Sequence, residues 1–257
     1  MNDFIQQLHS HRSIRKFSDK DISQSDLELI LSAAASASSS GNMQSFSVVV
    51  TRDRAMKEKM YQAHFEQSML MDAPIFLTFC ADFYRMRRWL KLSEAANNFD
   101  NYMSFMIASI DAILASQNAA LAAESLGMGL CYMGTTLASA GEIGEILALP
   151  ENVVPVVGFA LGYPDEAPDL RKRLPLESLV HYEKYHKYSD EEVLEIYRER
   201  EVEGMKRYRD NPRLNQMIKD VGAKNLAQVY TQAKYTEESH LKYSEDLIAY
   251  LKRQNFF

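Results

Sequence analysis

The segment from about Phe99 to Leu126 constrains this chain more than any other stretch. Ala108, Ala112, Ala115, Ala119, Ala120, Ala122 and Ala123 give it strong helix propensity, and their small side chains let neighbouring backbone come close. Met103, Met106, Ile107, Ile110, Ile113 and Leu114 make it apolar around much of its circumference. Such a helix has to be covered, either by the rest of the chain or by a subunit contact. Gly127 follows as the expected C′ residue.

What surrounds that helix is bounded by composition. At 257 residues the chain is long enough for one large domain with a substantial core. It carries 29 Lys+Arg against 35 Asp+Glu, a net charge of −6, which argues against nucleic acid as the main partner. No uninterrupted apolar run reaches the roughly 18 residues a membrane span needs. The opening Met1-Asn2-Asp3-Phe4-Ile5 lacks the basic-then-apolar pattern of a signal peptide. Cys80 and Cys131 sit in apolar, strand-like runs, so they read as reduced core thiols and the compartment as cytoplasmic.

Ahead of the long helix, Asn2 to Ser10 reads as a short helix with Phe4, Ile5 and Leu8 on one face. It opens into His11-Arg12-Ser13-Ile14-Arg15, where two guanidinium forks, an imidazole and a hydroxyl crowd together. That donor set matches a phosphate, although a solvated basic turn has the same composition. Ser23 opens a second helix with an apolar stripe of Leu27, Ile30, Leu31 and Ala34. The serine tract at 36–40 then joins this helix to a strand, Phe46–Thr51, and so reads as a ligand-contacting loop rather than a linker. Asp53 caps a helix to Ala63, Gln67 lies in a polar stretch, and Ile75–Ala81 is a second strand. The basic turn Arg85-Met86-Arg87-Arg88 reads as a solvated face.

Beyond the long helix, Gly129–Met133 is a short strand followed by Gly134-Thr135-Thr136. The glycines at 127 and 129 precede that strand, so they are not a dinucleotide fingerprint, which follows one. Gly134 at the strand's end permits close approach of a flat ligand. A helix near 139–149, a strand within 153–163 and an extended, proline-stiffened loop at 164–175 follow. From Ser189 the pattern is almost wholly helical, and nine of the 14 tyrosines lie between His181 and Tyr250, which favours a packing or dimer-forming arm.

Metal spacings, nucleophile elbows and phosphate-loop signatures do not match this chain, and no residue presents itself as a catalytic acid or base. Anion-contact loops without acid–base machinery suit a protein whose organic cofactor carries the chemistry.

His11-Arg12-Ser13-Ile14-Arg15-Lys16-Phe17, the Ser38-Ser39-Ser40…Gln44 loop and Ala122-Ala123-Glu124-Ser125-Leu126-Gly127-Met128-Gly129…Tyr132-Met133-Gly134 resemble the nitroreductase superfamily. Gly162-Tyr163-Pro164…Asp169-Leu170-Arg171-Lys172-Arg173-Leu174-Pro175…Val180-His181 resembles its oxygen-insensitive NADPH nitroreductase/flavin reductase branch. The likeness covers about residues 1–185, with the motifs in order.

The resemblance implies an α+β fold with a mixed sheet flanked by helices, the long central helix at a dimer interface and a helical C-terminal tail. It implies one FMN-binding domain over 1–257, with 189–257 a mostly helical extension. It implies an FMN-dependent oxidoreductase that passes electrons from NADPH or NADH to nitroaromatics, quinones or free flavin by a ping-pong mechanism. By similarity, His11, Arg12, Ser13 and Arg15 hold the FMN phosphate and ribityl chain with Ser39 alongside, and Gln67 reaches the ring. Met133, Gly134, Thr135 and Thr136 line the ring near N5, and Arg171 and Arg173 close on the phosphate. Flavin N5, not a side chain, carries the chemistry. Relatives commonly carry a second glycine where Thr135 stands, and Lys-Pro-Arg at 171–173. Past about Tyr188 the likeness fades, and Arg207, Arg209 and Arg213 are candidates for a nucleotide 2′-phosphate. The alternatives are a dehalogenase-type reaction on the same fold, or a flavin-binding interaction protein without turnover.

Overall fold

The computed structural model describes residues 2–257, which divide into two compact units. One runs to Leu170 and includes Tyr243–Phe257; the other is Arg171–Lys242.

In the first unit, α1 (Asp3–Ser10) starts behind Asn2, whose side chain accepts from the Ile5 N–H. Helix α2 (Gln24–Ala35) starts behind Ser23, whose hydroxyl accepts from the Asp26 N–H. Next come β1 (Phe46–Thr51), α3 (Arg54–Ala63), α4 (Met69–Asp72), β2 (Ile75–Asp82) and α5 (Tyr84–Leu92). They are followed by α6 (Tyr102–Ser125), β3 (Gly129–Met133), α7 (Thr135–Ala138), α8 (Ala140–Ile146) and β4 (Val153–Gly162). The long helix begins at Tyr102 rather than near Phe99 because Asn101 caps it, accepting from the Ser104 N–H.

The strands lie in the order β1-β2-β4-β3, each neighbouring pair antiparallel. The parallel element is a single bridge outside the named strands, Ser13 to Leu130. Side chains of the central strands alternate between two cores, as the two-residue period of a strand requires. Ile75, Leu77, Phe79, Phe159 and Leu161 pack with Ile30 of α2 and Ala112, Ala115 and Ala119 of α6. Phe76 and Ala160 pack on the other face with Met60, Ala63, Leu70 and Ile143. Helices therefore cover both faces of the sheet, giving three layers.

Ala112, Ala115, Ala119, Ala120 and Ala123 of α6 are buried against the sheet, where a larger side chain would hold the layers apart. Its other flank, Met103, Met106, Ile110, Ile113 and Leu114, stays exposed in the single chain. Among the described residues, α6 is the one helix long and apolar enough by length and composition to cross a membrane, although Asp111 interrupts it. Half of that stretch is buried inside the chain, the pattern of a core helix. Gly127 follows with φ +76°, the left-handed C′ residue expected.

The second unit is helical: α9 (Asp190–Asp210), α10 (Pro212–Val221) and α11 (Leu226–Val229) surround their own core of Met205, Tyr208, Ile218, Leu226 and Val229. A full capping box starts α9, with Ser189 and Glu192 each accepting from the other's backbone N–H. The last helix, α12 (Glu237–Arg253), begins in this unit and ends in the first.

Candidate functional site at the edge and end of strand β3

The basic segment is extended and bound to the sheet. The Ile14 N–H donates to Leu130 O at 2.9 Å, and Phe17 bridges to Pro164. Ile14 and Phe17 turn inward and are buried, while Arg15 is exposed. This fit depends on Gly129, because a Cβ built there would lie 2.4 Å from Ile14 Cγ1. Apolar residues thus fix the register, and the polar ones face out.

Two of the four candidate phosphate residues already have partners. His11 Nδ1 lies 2.5 Å from Glu124 Oε1, near the end of α6. The Arg12 guanidinium donates to Pro168 O at 3.0 Å and Ser10 O at 3.2 Å. The Glu166 carboxylate accepts from the backbone N–H of Arg15 at 2.5 Å and of Lys16 at 3.1 Å. Among the described residues, the Arg15 guanidinium and the Ser13 hydroxyl have no intramolecular hydrogen-bond partner. A guanidinium held on a rigid segment with its fork unengaged is suited to a bidentate anion.

Four residues beyond Leu130, about 13 Å along an extended strand, β3 ends at an open place. Gly134 is exposed there, and a Cβ built on it meets nothing within 4 Å. Thr135 is half-buried, whereas Met133 and Thr136 are buried. Gln67 reaches the same place, its Nε2 donating to His64 O at 3.1 Å and more weakly to Thr135 Oγ1 at 3.4 Å.

His64 is buried beneath them, with Nδ1 2.7 Å from Thr135 Oγ1. Burial without a charged partner pushes its pKa down to about 4, so it is neutral at pH 7. The turn between His64 and Gln67 places Phe65 and Glu66 in the left-handed region, at φ +56° and +54°. Neither residue favours that region, so the turn is held by its anchors rather than by local preference.

Ser39 lies elsewhere. Its hydroxyl accepts from the Gln44 N–H at 3.3 Å, in a loop organised by Asp111 of α6. The buried Asp111 carboxylate accepts from Ser40 N–H (2.9 Å), Ser45 N–H (3.2 Å) and the Ser45 hydroxyl (2.7 Å). Asp111 and Glu124 are thirteen residues apart on one helix, which is about 20 Å. Within one chain, then, His11, Arg12, Ser13 and Arg15 share the edge of β3, and Gln67, Met133, Gly134, Thr135 and Thr136 share its end. Ser39 joins neither group.

Arg171 and Arg173 belong to the second unit, as do Arg207, Arg209 and Arg213. The Lys172 ammonium between the first two pairs with Glu199 and, at 3.2 Å, with Glu203 of α9. His64, Asp111, Glu124 and Glu166 are the functional candidates that sequence reasoning missed. Each acts through a partner far away in the chain; Glu124 stands in a stretch that carries the family resemblance, but nothing local to any of the four marks its role.

A family model described as the Nitroreductase family matches residues 8–163, which contain both parts of this site. The chain belongs to the nitroreductase family. Among nitroreductase relatives, it is 36% identical over 203 residues to an oxygen-insensitive NADPH nitroreductase of Salmonella typhimurium, covering 79% of this chain and 82% of that protein. It is 32% identical over 193 residues to an FMN reductase (NADPH) of Bacillus subtilis, covering 74% and 78%. A solved structure from Bacteroides fragilis superposes with a TM-score of 0.90 at 37% identity, covering 98% of this chain and 99% of that one. The family match lies within the first unit, and this structural likeness extends over the helical second one.

Proposed function

We propose that this nitroreductase-family protein is an FMN-dependent oxidoreductase that takes electrons from NADPH or NADH. Its acceptors are small oxidised molecules of the nitroaromatic, quinone or free-flavin class. The observation that carries this reading is the spacing of two unlike places on β3. The segment that carries the unengaged Arg15 guanidinium and Ser13 hydroxyl is bridged to Leu130 at Ser13, and an open, uncharged strand end lies about 13 Å along β3 from Leu130. A flavin mononucleotide asks for that pairing, with a dianion at one end and a flat ring at the other.

In this reading Arg15, Arg12 and Ser13 hold the phosphate, and His11, braced by Glu124, borders it. Gln67 and the backbone of Met133, Gly134, Thr135 and Thr136 border the ring. Bound FMN supplies the two-electron chemistry, with donor and acceptor using one open face in turn. The chain supplies position and hydrogen-bond donors that offset charge gathering on the reduced ring. The expectation for Arg171 and Arg173 rests on the sequence resemblance.

The working form is proposed to be a homodimer. The exposed apolar flank of α6 offers a surface that a second copy would cover by two-fold pairing. Ser39 would then serve the other protomer's site, which accounts for its place at the far end of α6. The buried thiols Cys80 and Cys131 fit a reducing, cytoplasmic setting.

Arg15→Ala tests the site. Its side chain is exposed and engages nothing in the fold, so the variant is expected to fold normally and purify without flavin colour. A fully flavin-loaded variant would overturn the phosphate assignment. In the wild type, NADPH or NADH is expected to bleach the bound flavin within seconds. If neither donor does so, the chain is a flavin-binding protein without turnover.

A further inference from the structure

His64 presents two ring nitrogens to very different surroundings. Nδ1 lies against the Thr135 hydroxyl, whereas Nε2 is buried and finds no hydrogen-bond partner among the described residues. The ring meets Phe76 edge-on at 4.9 Å. A neutral imidazole has one proton to place. On Nε2 it would be a buried donor with nothing to receive it, which folded proteins rarely tolerate; on Nδ1 it leaves only an unused lone pair. The Nδ1–H therefore donates to Thr135 Oγ1. Gln67 Nε2 donates to the same oxygen from 3.4 Å. With both lone pairs engaged, the hydroxyl has only its proton left to give.

No protein group among the described residues takes that proton up. Thr135 is half-buried beside the exposed Gly134, so the unengaged direction is the open one. The same His64 anchors the left-handed turn at Phe65 and Glu66 that brings Gln67 within reach of Thr135. The buried ring thus orients the hydroxyl, while the backbone carbonyl of the same residue holds the amide that shares its oxygen.

We propose that His64 is a positioning residue that turns Thr135 into a fixed hydrogen-bond donor toward the ring of the bound flavin, favouring the electron-rich reduced form over the oxidised one. This rests on the FMN reading above. A donor oriented before the charge arrives stabilises it without reorganisation, whereas a freely rotating hydroxyl would not. The bond exists only because position 135 carries a side chain.

The test uses the full-length protein with its bound flavin and four variants. Thr135→Val removes the donor at constant shape, and His64→Phe removes the group that orients it. Thr135→Ser keeps the hydroxyl, and His64→Asn keeps an N–H close to the position of Nδ1. The readouts are flavin content, the midpoint potential of bound FMN, and the His64 tautomer by nitrogen NMR in the flavin-free protein. Thr135→Val and His64→Phe are expected to retain FMN but to favour the reduced form about tenfold less, a fall of about 30 mV for a two-electron couple. Thr135→Ser and His64→Asn are expected to stay at the wild-type potential, and the NMR proton is expected on Nδ1. A flavin-loaded Thr135→Val at wild-type potential, or a proton on Nε2, overturns the proposal. Should His64→Phe fail to fold, those two results still decide. A wild type that takes up no FMN sinks the cofactor reading itself, and that outcome is visible before any potential is measured.

Discussion

Acidification offers a direct measure of what burying His64 costs the fold. Its folded pKa is held down at about 4 by burial, against an ordinary value of 6.5. Between those values the unfolded chain binds a proton that the folded chain refuses, so stability rises with pH across this window. The contribution is fully present above pH 6.5 and is lost as the pH falls toward 4. Treating the two states as single titrations, the loss is about 2 kcal/mol at pH 5 and about 3 kcal/mol at pH 4. The ring's hydrogen-bond partner Thr135 and its aromatic neighbour Phe76 do not titrate in this range, and burial alone holds the pKa down. His64→Asn is the fitting reference, because it keeps a donor for Thr135 but cannot titrate. Denaturant unfolding of both proteins at pH 7, 6 and 5 gives two stability curves, and subtraction removes the carboxylates they share. The wild-type advantage is expected to shrink by about 2 kcal/mol between pH 7 and pH 5. Parallel curves over that range would refute the reasoning, since a neutral buried imidazole could not then be what the fold holds.

Other predictions follow from single contacts. Asp111→Asn leaves three donors facing a group with one acceptor oxygen, so it is expected to cost about 2–3 kcal/mol and to speed amide exchange over 39–45. Unchanged exchange there would mean that the loop holds itself. Gly144→Ala places a Cβ 2.0 Å from the Tyr250 hydroxyl oxygen in the packed core, and a loss of about 1–3 kcal/mol in thermal or chemical unfolding is expected. Ile110→Glu, on the exposed flank of α6, is expected to give folded monomers by sedimentation; a stable dimer would exclude that flank as the interface.

The elements legible in the sequence were those written in local chemistry. Asn2, Ser23, Asp53 and Ser189 all cap the helices expected of them, since a cap needs only a side-chain oxygen and an N–H three residues on. The apolar runs of β2 and β4 announced strands, and they are continuous because both strands lie at the centre of the sheet with both faces covered. The basic segment was legible as a donor set, but its occupancy was not. That Glu166 takes the Arg15 and Lys16 N–H groups is a contact across some 150 residues, and periodicity carries no information at that range. His64 shows the limit most clearly. In sequence it is an isolated histidine after a helix, and only the packing of Phe76 and Thr135 around it gives its two nitrogens different meanings.

The long helix does more than fill the core, because three of its polar side chains each hold a different neighbouring segment. Asp111 gathers the Ser40–Ser45 backbone, Asn118 donates to Ala33 O at the end of α2, and Glu124 meets His11. Because these positions sit on one rigid rod, the serine loop and the basic segment are kept about 20 Å apart. Loop motion cannot easily close that gap while the Asp111 hydrogen bonds hold. If Ser39 and Arg15 serve a single cofactor, the two residues must come from different chains, and the apolar flank of the same helix is the surface on which those chains would meet. One element would then set both the spacing of the half-sites and the contact that completes them. Weakening the α6 flank should therefore cost flavin affinity as well as dimerisation, although no residue on that flank belongs to the proposed flavin site.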